Sequence, residues 1–275
     1  MMCHELSGRQ LDEKMDKSAN IFRFKRFCVV NERSAMKVNT DGVLLGVAMT
    51  IKPSDRRFLD IGTGTGTIAL IAAQRVEGFL DFALNDSPCS PVSWEKLCIH
   101  AIDIDAISAE EAALNFSNSP WAGHLQAHAA SLDEYAESLD EGETFDLIFS
   151  NPPYFDDSLN APQQRRNNAR HTSTGLSYRE ILDFAAGRLS GQGRVAMVLP
   201  SDVEPSLLRH ARMNGLHLFR ILRIRTVERK QPSRIIAEFS LTRCETPEDE
   251  ILTIQKEGRY THEYLALTKG FYLFA

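Results

Sequence analysis

Two short stretches of the 275-residue chain carry residue types whose spacing suits group transfer to nitrogen. One is Asp60-Ile61-Gly62-Thr63-Gly64-Thr65-Gly66, an acid followed by three alternate glycines; the other is Ser150-Asn151-Pro152-Pro153-Tyr154. Asn151 offers a side-chain carbonyl and Pro152 a backbone carbonyl, two acceptors for the N–H bonds of an amino or amide group. Such a nitrogen is a poor nucleophile because its lone pair is delocalised. Accepting hydrogen bonds from both N–H groups biases it towards tetrahedral geometry and frees the lone pair to face an electrophile. Pro152 and Pro153 fix this backbone before a substrate arrives, which is preorganised electrostatic catalysis. Tyr154 offers a flat face for a planar substrate. No general base is needed before attack, because the nitrogen becomes acidic once alkylated, and the rest is positioning. The plain structural alternative is a proline-stiffened turn.

The glycine stretch follows an apolar run and opens a helical pattern, where open α/β sheets bind ligands. Its spacing is GxGxG, not the GxGxxG of dinucleotide binding. Asp60 is the sharper discriminator. Beside a pyrophosphate its charge is repelled by roughly 1–4 kcal/mol at about 4 Å for effective dielectrics of 80 to 20. Beside the amino group or sulfonium of S-adenosylmethionine the same charge is favourable, so that cofactor is expected. A second marker is Ala101-Ile102-Asp103-Ile104-Asp105, an apolar run ending in acids. A carboxylate there accepts ribose hydroxyls in nucleotide-binding α/β folds. Asp103 and Asp105 are both candidates to cap the next helix; Asp103 is assigned to the ribose and Asp105 to the cap.

The elements that must hold these residues are legible as alternation. Asp41–Met49 reads as a helix capped by Thr40. From Arg57 onward the runs RFLDI, CIHAIDI, FDLIFS and RVAMVLP read as strands, with TIALIAAQR, ISAEEAALNFS and YREILDFAAGRL as helices. This βαβα order predicts a doubly wound, mostly parallel, Rossmann-like α/β sheet. After a helix over 205–214, LHLFRILRIRTV and SRIIAEFSLTR read as an antiparallel hairpin ending the sheet. Residues 1–20 read as a mobile polar tail. A single domain is expected over 21–275, with an N-terminal extension (21–56) and an irregular surface insertion near 78–97. The insertion accounts for Asp103 lying further from the glycines than the usual ~20 residues.

Composition narrows the partners. Hydrophobic residues make up 43% and charged residues 25%, which excludes disordered and collagen-like chains. No apolar run is long enough for a membrane span, and the polar N-terminus does not read as a secretory signal. Five scattered cysteines without a CxxC pair read as reduced thiols of a cytoplasmic protein with no metal site. A monomer is expected. The net charge of −6 conceals segregation: residues 78–149 hold one Lys/Arg against fourteen Asp/Glu, whereas residues 160–235 hold fourteen against five. Either the faces are merely solvated with different signs, or the basic segments form a polyanion groove.

The motifs DIGTGTG, AIDID and NPPY, in that order, resemble class I S-adenosylmethionine-dependent methyltransferases that act on amino groups. FRFKRFCVVNERSAMKVNTDGVLLG (21–46), SPWA (119–122), PQQRRNNARHT (162–172), PSRIIAEFS (232–240) and YTHEYLALTKGFYLF (260–274) narrow the resemblance. They are similar to bacterial tRNA(Val) adenine-N6 methyltransferases, over residues 21–275. The resemblance implies catalysis at Asn151, Pro152, Pro153 and Tyr154. It implies cofactor binding by Asp60, Gly62, Gly64, Gly66 and Asp103, with Lys37 and Asp41 leading into the pocket. Ser131 stands where the family carries an aspartate near the cofactor adenine, leaving Ser131 or Asp133 for that contact. The implied substrate is the N6 of an adenine 3′ of the anticodon. An anticodon-loop base is already single-stranded, which lowers the cost of holding it unstacked. Arg23, Lys25, Arg26 and Arg33, then Arg165, Arg166 and Arg170, then Arg223, Arg225, Arg229, Lys230 and Arg234 are the candidate phosphate contacts. Three other readings remain open: the same chemistry on a glutamine amide of a translation factor, a nicotinamide oxidoreductase, and a non-catalytic RNA-binding module. GxGxG and Asp60 count against the second, and the Arg-rich stretch after NPPY counts against the first.

Overall fold

Apolar strand runs alternate with one-sided helices from Arg57 onward, and a computed structural model shows how they assemble; it describes residues 20–86, 97–153 and 176–275. Tyr154, Arg165, Arg166, Arg170 and the tail lie outside the described residues. The elements in chain order are β1 (Ile21–Arg23), β2 (Cys28–Val30), α1 (Thr40–Ala48), β3 (Arg57–Ile61), α2 (Thr67–Asp86) and β4 (Cys98–Asp103). There follow α3 (Ala106–Ser117), β5 (Leu125–Ala129), α4 (Leu132–Ser138), β6 (Phe145–Ser150), α5 (Tyr178–Arg188) and β7 (Leu189–Pro200). The chain closes with α6 (Glu204–Met213), β8 (His217–Val227), β9 (Arg234–Ser240), β10 (Glu248–Lys256), β11 (Arg259–Tyr260) and α7 (His262–Thr268).

Nine strands form one sheet in the order β11-β10-β8-β9-β7-β6-β3-β4-β5, with only β9 and β11 running against the rest. The expected Rossmann-like α/β architecture is therefore present. Each face of the sheet carries its own core. Phe58, Leu147, Phe149 and Val198 face α1, α2 and α3, while Leu59, Ile148, Val195 and Met197 face α5 and α6. Period-2 alternation along buried strands supplies both sets. The hairpin β1–β2 packs its Phe24 and Phe27 against Tyr272 and Trp121, tying the two ends of the described chain together.

Three boundaries differ from the sequence reading. Helix α1 is capped by Asn39, not Thr40: the Asn39 side-chain carbonyl accepts from the Gly42 N–H at 2.8 Å, and Thr40 is already helical. Helix α2 runs on to Asp86, so residues 78–86 are helix and not irregular, and residues 87–96 of the expected insertion lie outside the described residues; Val76 and Phe79 continue the helix packing against the core. The β8–β9 hairpin is not the end of the sheet. β10 pairs parallel to β8, and β11 folds back on β10. The charged start of β10 hides its periodicity, because Glu248, Asp249 and Glu250 are exposed and serve the arginines of β8. Among the described residues no helix is long and apolar enough to cross a membrane.

Candidate active site

The chain leaves β3 outward to β4 and β5, then returns to β6 on the other side of β3. The carboxyl ends of β3 and β6 thus flank a crevice, the position where doubly wound sheets place ligands. β3 delivers Asp60 and the glycine loop, and β6 delivers Ser150, Asn151 and Pro152. The buried Ser150 hydroxyl donates to the Ile61 carbonyl at 2.6 Å and locks the two strand ends together. A cleft opens there, lined by residues 36–39, the threonines of the glycine loop and Asn151. Asn151 is 8% exposed, and Pro152 beside it is buried.

The glycine loop is held mainly by the end of β4. The Gly62 and Thr63 N–H groups donate to the Ile102 carbonyl, Gly64 N–H to Asp103 Oδ2 at 2.9 Å, and Gly66 N–H to the Thr63 carbonyl. Gly66 has φ +78°, and a Cβ there would lie 2.5 Å from the Phe116 ring. Only glycine allows that turn and that approach of α3. Asp60 is fully buried. Its Oδ2 accepts from the Thr63 hydroxyl at 2.7 Å, and its Oδ1 has no partner. Burial pushes the Asp60 carboxyl up to about 7, with the Thr63 hydrogen bond opposing.

Asp103 is half-buried and accepts one hydrogen bond on each oxygen, from the Gly64 and Asp105 N–H groups, both at 2.9 Å. Desolvation raises its pKa, and these two bonds resist the rise. A carboxylate has about four acceptor positions, so capacity remains on both oxygens. Asp105 caps α3 as expected, accepting from the Ser108 hydroxyl and from the Ile107 and Ser108 N–H groups.

The other expected cofactor residues are committed in part elsewhere. Ser131 is the N-cap of α4, in a reciprocal box with Glu134 that uses its O–H and one lone pair. Asp133 is exposed in the first turn of the same helix. Lys37 lines the cleft, and its Nζ donates to the Glu32 carbonyl. Asp41 forms an ion pair with Arg234 at 2.9 Å.

The basic residues divide. Arg26 pairs with Glu77, ten residues along α2 from the glycine loop, or about 15 Å at 1.5 Å per residue. Lys25 donates to the carbonyls of Lys269 and Ala275, and Arg33 pairs with Glu110. Arg23 is exposed beside Cys28. Arg223 is held by Glu204 and Asp249, and Arg225 donates to Thr253 Oγ1. Arg229 and Lys230 are exposed in the β8–β9 turn, at the same end of the sheet as Asn151. Sequence reasoning missed Ser150 and Thr63 as supports. Thr63 is signalled only by its spacing of three from Asp60.

A pyrophosphate at this strand end would need free N–H groups, and four of the loop's already donate to protein acceptors, three of the four to β4. A cationic ligand needs nearby negative charge: Asp60 lies buried just behind the loop, and half-buried Asp103 keeps acceptor capacity. The crevice therefore suits S-adenosylmethionine, and the fold is that of a class I methyltransferase. Solved structures agree at the level of fold. A predicted O-methyltransferase from Agrobacterium tumefaciens matches with TM-score 0.56 at 16% identity, covering 84% of this chain and 96% of that one. A methyltransferase from Pyrococcus furiosus matches with TM-score 0.51 at 17% identity, covering 78% and 89%. No family model matches the chain.

Sequence relatives are more specific. The tRNA1(Val) (adenine(37)-N6)-methyltransferase of Parabacteroides distasonis is 40% identical, covering 92% of this chain and 97% of its own length. Proteins of the same name from Bacteroides fragilis (strain NCTC 9343) and Actinobacillus succinogenes are 38% and 35% identical. They cover 93% and 94% of this chain, and 99% of their own lengths. The chain belongs to the tRNA1(Val) (adenine(37)-N6)-methyltransferase family.

Proposed function

We propose that this protein methylates the exocyclic N6 of an adenine in the anticodon loop of a tRNA, adenine 37 in the numbering of its relatives' names. The observation that carries the reading is Asn151: a nearly buried amide at the end of β6, in one cleft with the glycine loop. S-adenosylmethionine supplies an electrophilic methyl group on a positively charged sulfur. Asp60 would supply negative charge from behind the loop to the cofactor's cationic end, and Asp103 would accept from the ribose hydroxyls. Ser131 or Asp133 meets the cofactor adenine. Gly62, Gly64 and Gly66 shape the loop, while Lys37 and Asp41 border the entrance.

The Asn151 carbonyl and the Pro152 carbonyl accept the two N–H bonds of the target amine, with Tyr154 stacking on the base. The amine's lone pair then points at the electrophile, and the surplus proton leaves after transfer. Arg229 and Lys230 contact the phosphate backbone at the catalytic end of the sheet, together with Arg165, Arg166 and Arg170. A tRNA substrate puts the protein in the cytoplasm, acting as a monomer. The test is incubation with labelled S-adenosylmethionine and separate pools of tRNA, DNA and protein. Label is expected in N6-methyladenine of tRNA; label only in protein would overturn the reading.

A further inference from the structure

Residues 28–39 run along the outside of α3 before they become a wall of the cofactor cleft, and two polar side chains of α3 hold them there. Glu111 and Asn115 stand one turn apart, each 1% exposed. Glu111 accepts from the backbone N–H groups of Glu32 (2.9 Å), Arg33 and Ser34 (3.1 Å). Asn115 accepts from the Val30 N–H at 2.7 Å. It donates to the carbonyls of Val30 (3.0 Å) and Thr65 (2.9 Å). One amide thus fastens this segment to the glycine loop.

The stretch between closes on itself, because the Val38 N–H donates to Asn31 Oδ1 at 2.9 Å. Its tip rests on the glycine loop: a Cβ on Gly64 would lie 3.4 Å from both the Cβ and the carbonyl oxygen of Met36. The Ser34 hydroxyl donates to that same Met36 carbonyl at 3.1 Å and meets the Ser108 hydroxyl at 3.0 Å. An apolar residue at either position would leave these backbone groups without their partners, so the two side chains fix the path of this segment. Their hydrogen bonds all go to the backbone of the two segments that line the cleft.

We propose that Glu111 and Asn115 are positioning residues that set cofactor affinity, by joining the loop 31–38 and the glycine loop into one rigid wall. The proposal rests on the S-adenosylmethionine reading of the cleft, and not on the identity of the methyl acceptor. Glu111→Ala and Asn115→Ala are each expected to raise the KM and the calorimetric Kd for S-adenosylmethionine by at least about tenfold. At saturating cofactor kcat should stay within about threefold, the pattern of lost ground-state binding. A lower melting temperature with unchanged cofactor KM would overturn the proposal in favour of a purely structural anchor.

If these variants fail to fold, limited trypsin digestion of the wild-type protein decides. Cofactor should protect the Arg33–Ser34 and Lys37–Val38 bonds, and cleavage that ignores cofactor would reject the latch. Calorimetry needs no RNA, so failure of tRNA methylation and failure of the latch are read separately.

Discussion

The ends of β3 and β4 that carry Asp60 and Asp103, and the outer strands β8–β10, treat charge in opposite ways. At β3 a buried acid is left with an open oxygen, although burying a carboxylate costs several kcal/mol. In the outer strands nearly every arginine finds acids of its own. Arg220 pairs with the buried Glu238 and with Glu250, Arg223 with Glu204 and Asp249, and Arg234 with Asp41. The positive excess along residues 160–235 therefore does not translate into a uniformly positive face. The end of β3 keeps a buried charge with an open oxygen, while paired charge holds the outer strands in register. Arg229 and Lys230, lying on a turn beyond the ladder, are the exposed exceptions.

The comparison breaks most visibly at the catalytic strand end. Asn151→Ala should lower single-turnover methyl transfer by about 10²–10³, the scale seen when one preorganised polar contact is removed. Cofactor affinity measured by calorimetry should stay nearly unchanged. Turnover retained in the variant would remove Asn151 from the mechanism.

Next in size are the two acids. Asp103→Ala should weaken cofactor binding by one to two decades, the worth of about 1.5–3 kcal/mol for a hydrogen bond to a charged group. Asp60→Asn should weaken it similarly while raising the melting temperature of the cofactor-free protein at pH 8, since it removes an uncompensated buried charge. The pH dependence has a definite sign. A carboxyl at about 7 in the native state but near 3.8 when unfolded holds its proton more tightly in the fold. Its contribution to native stability therefore declines as pH rises from about 4 to about 7 and levels off above that. Melting curves of Asp60→Asn should lack this component; identical pH profiles for variant and wild type would refute the buried-charge account.

The outer strands give a smaller, two-sided test. Replacing Arg229 and Lys230 together by Ala should lower the slope of log tRNA affinity against log salt by up to about two units, with melting unchanged. Arg223→Ala should do the reverse, costing about 1 kcal/mol or less of stability while the salt slope holds. If Arg223 moves the salt slope as much as the turn residues do, the division between paired and open charge fails. The smallest effect is at Ser131. Its alanine variant should lose about 1 kcal/mol of stability, as for other N-caps, and shift cofactor affinity little. A tenfold weaker cofactor Kd would instead assign its remaining lone pair to the cofactor adenine.

What the sequence by itself determined is local. The glycine loop, Asp60, Asp103 and NPPY are contiguous stretches at strand ends, where backbone conformation and side-chain chemistry are set by neighbours a few residues away. The βαβα order and the Asp105 cap were legible for the same reason. The tertiary structure alone decided which charges meet. Asp41 and Arg234 are 193 positions apart, and no periodicity links them. It also decided that β10 extends the sheet beyond the hairpin, and that Glu111 and Asn115 reach across to the backbone of 30–34. Such pairings depend on strand order and helix rotation, and those follow from how the whole chain buries its apolar faces, not from any local pattern.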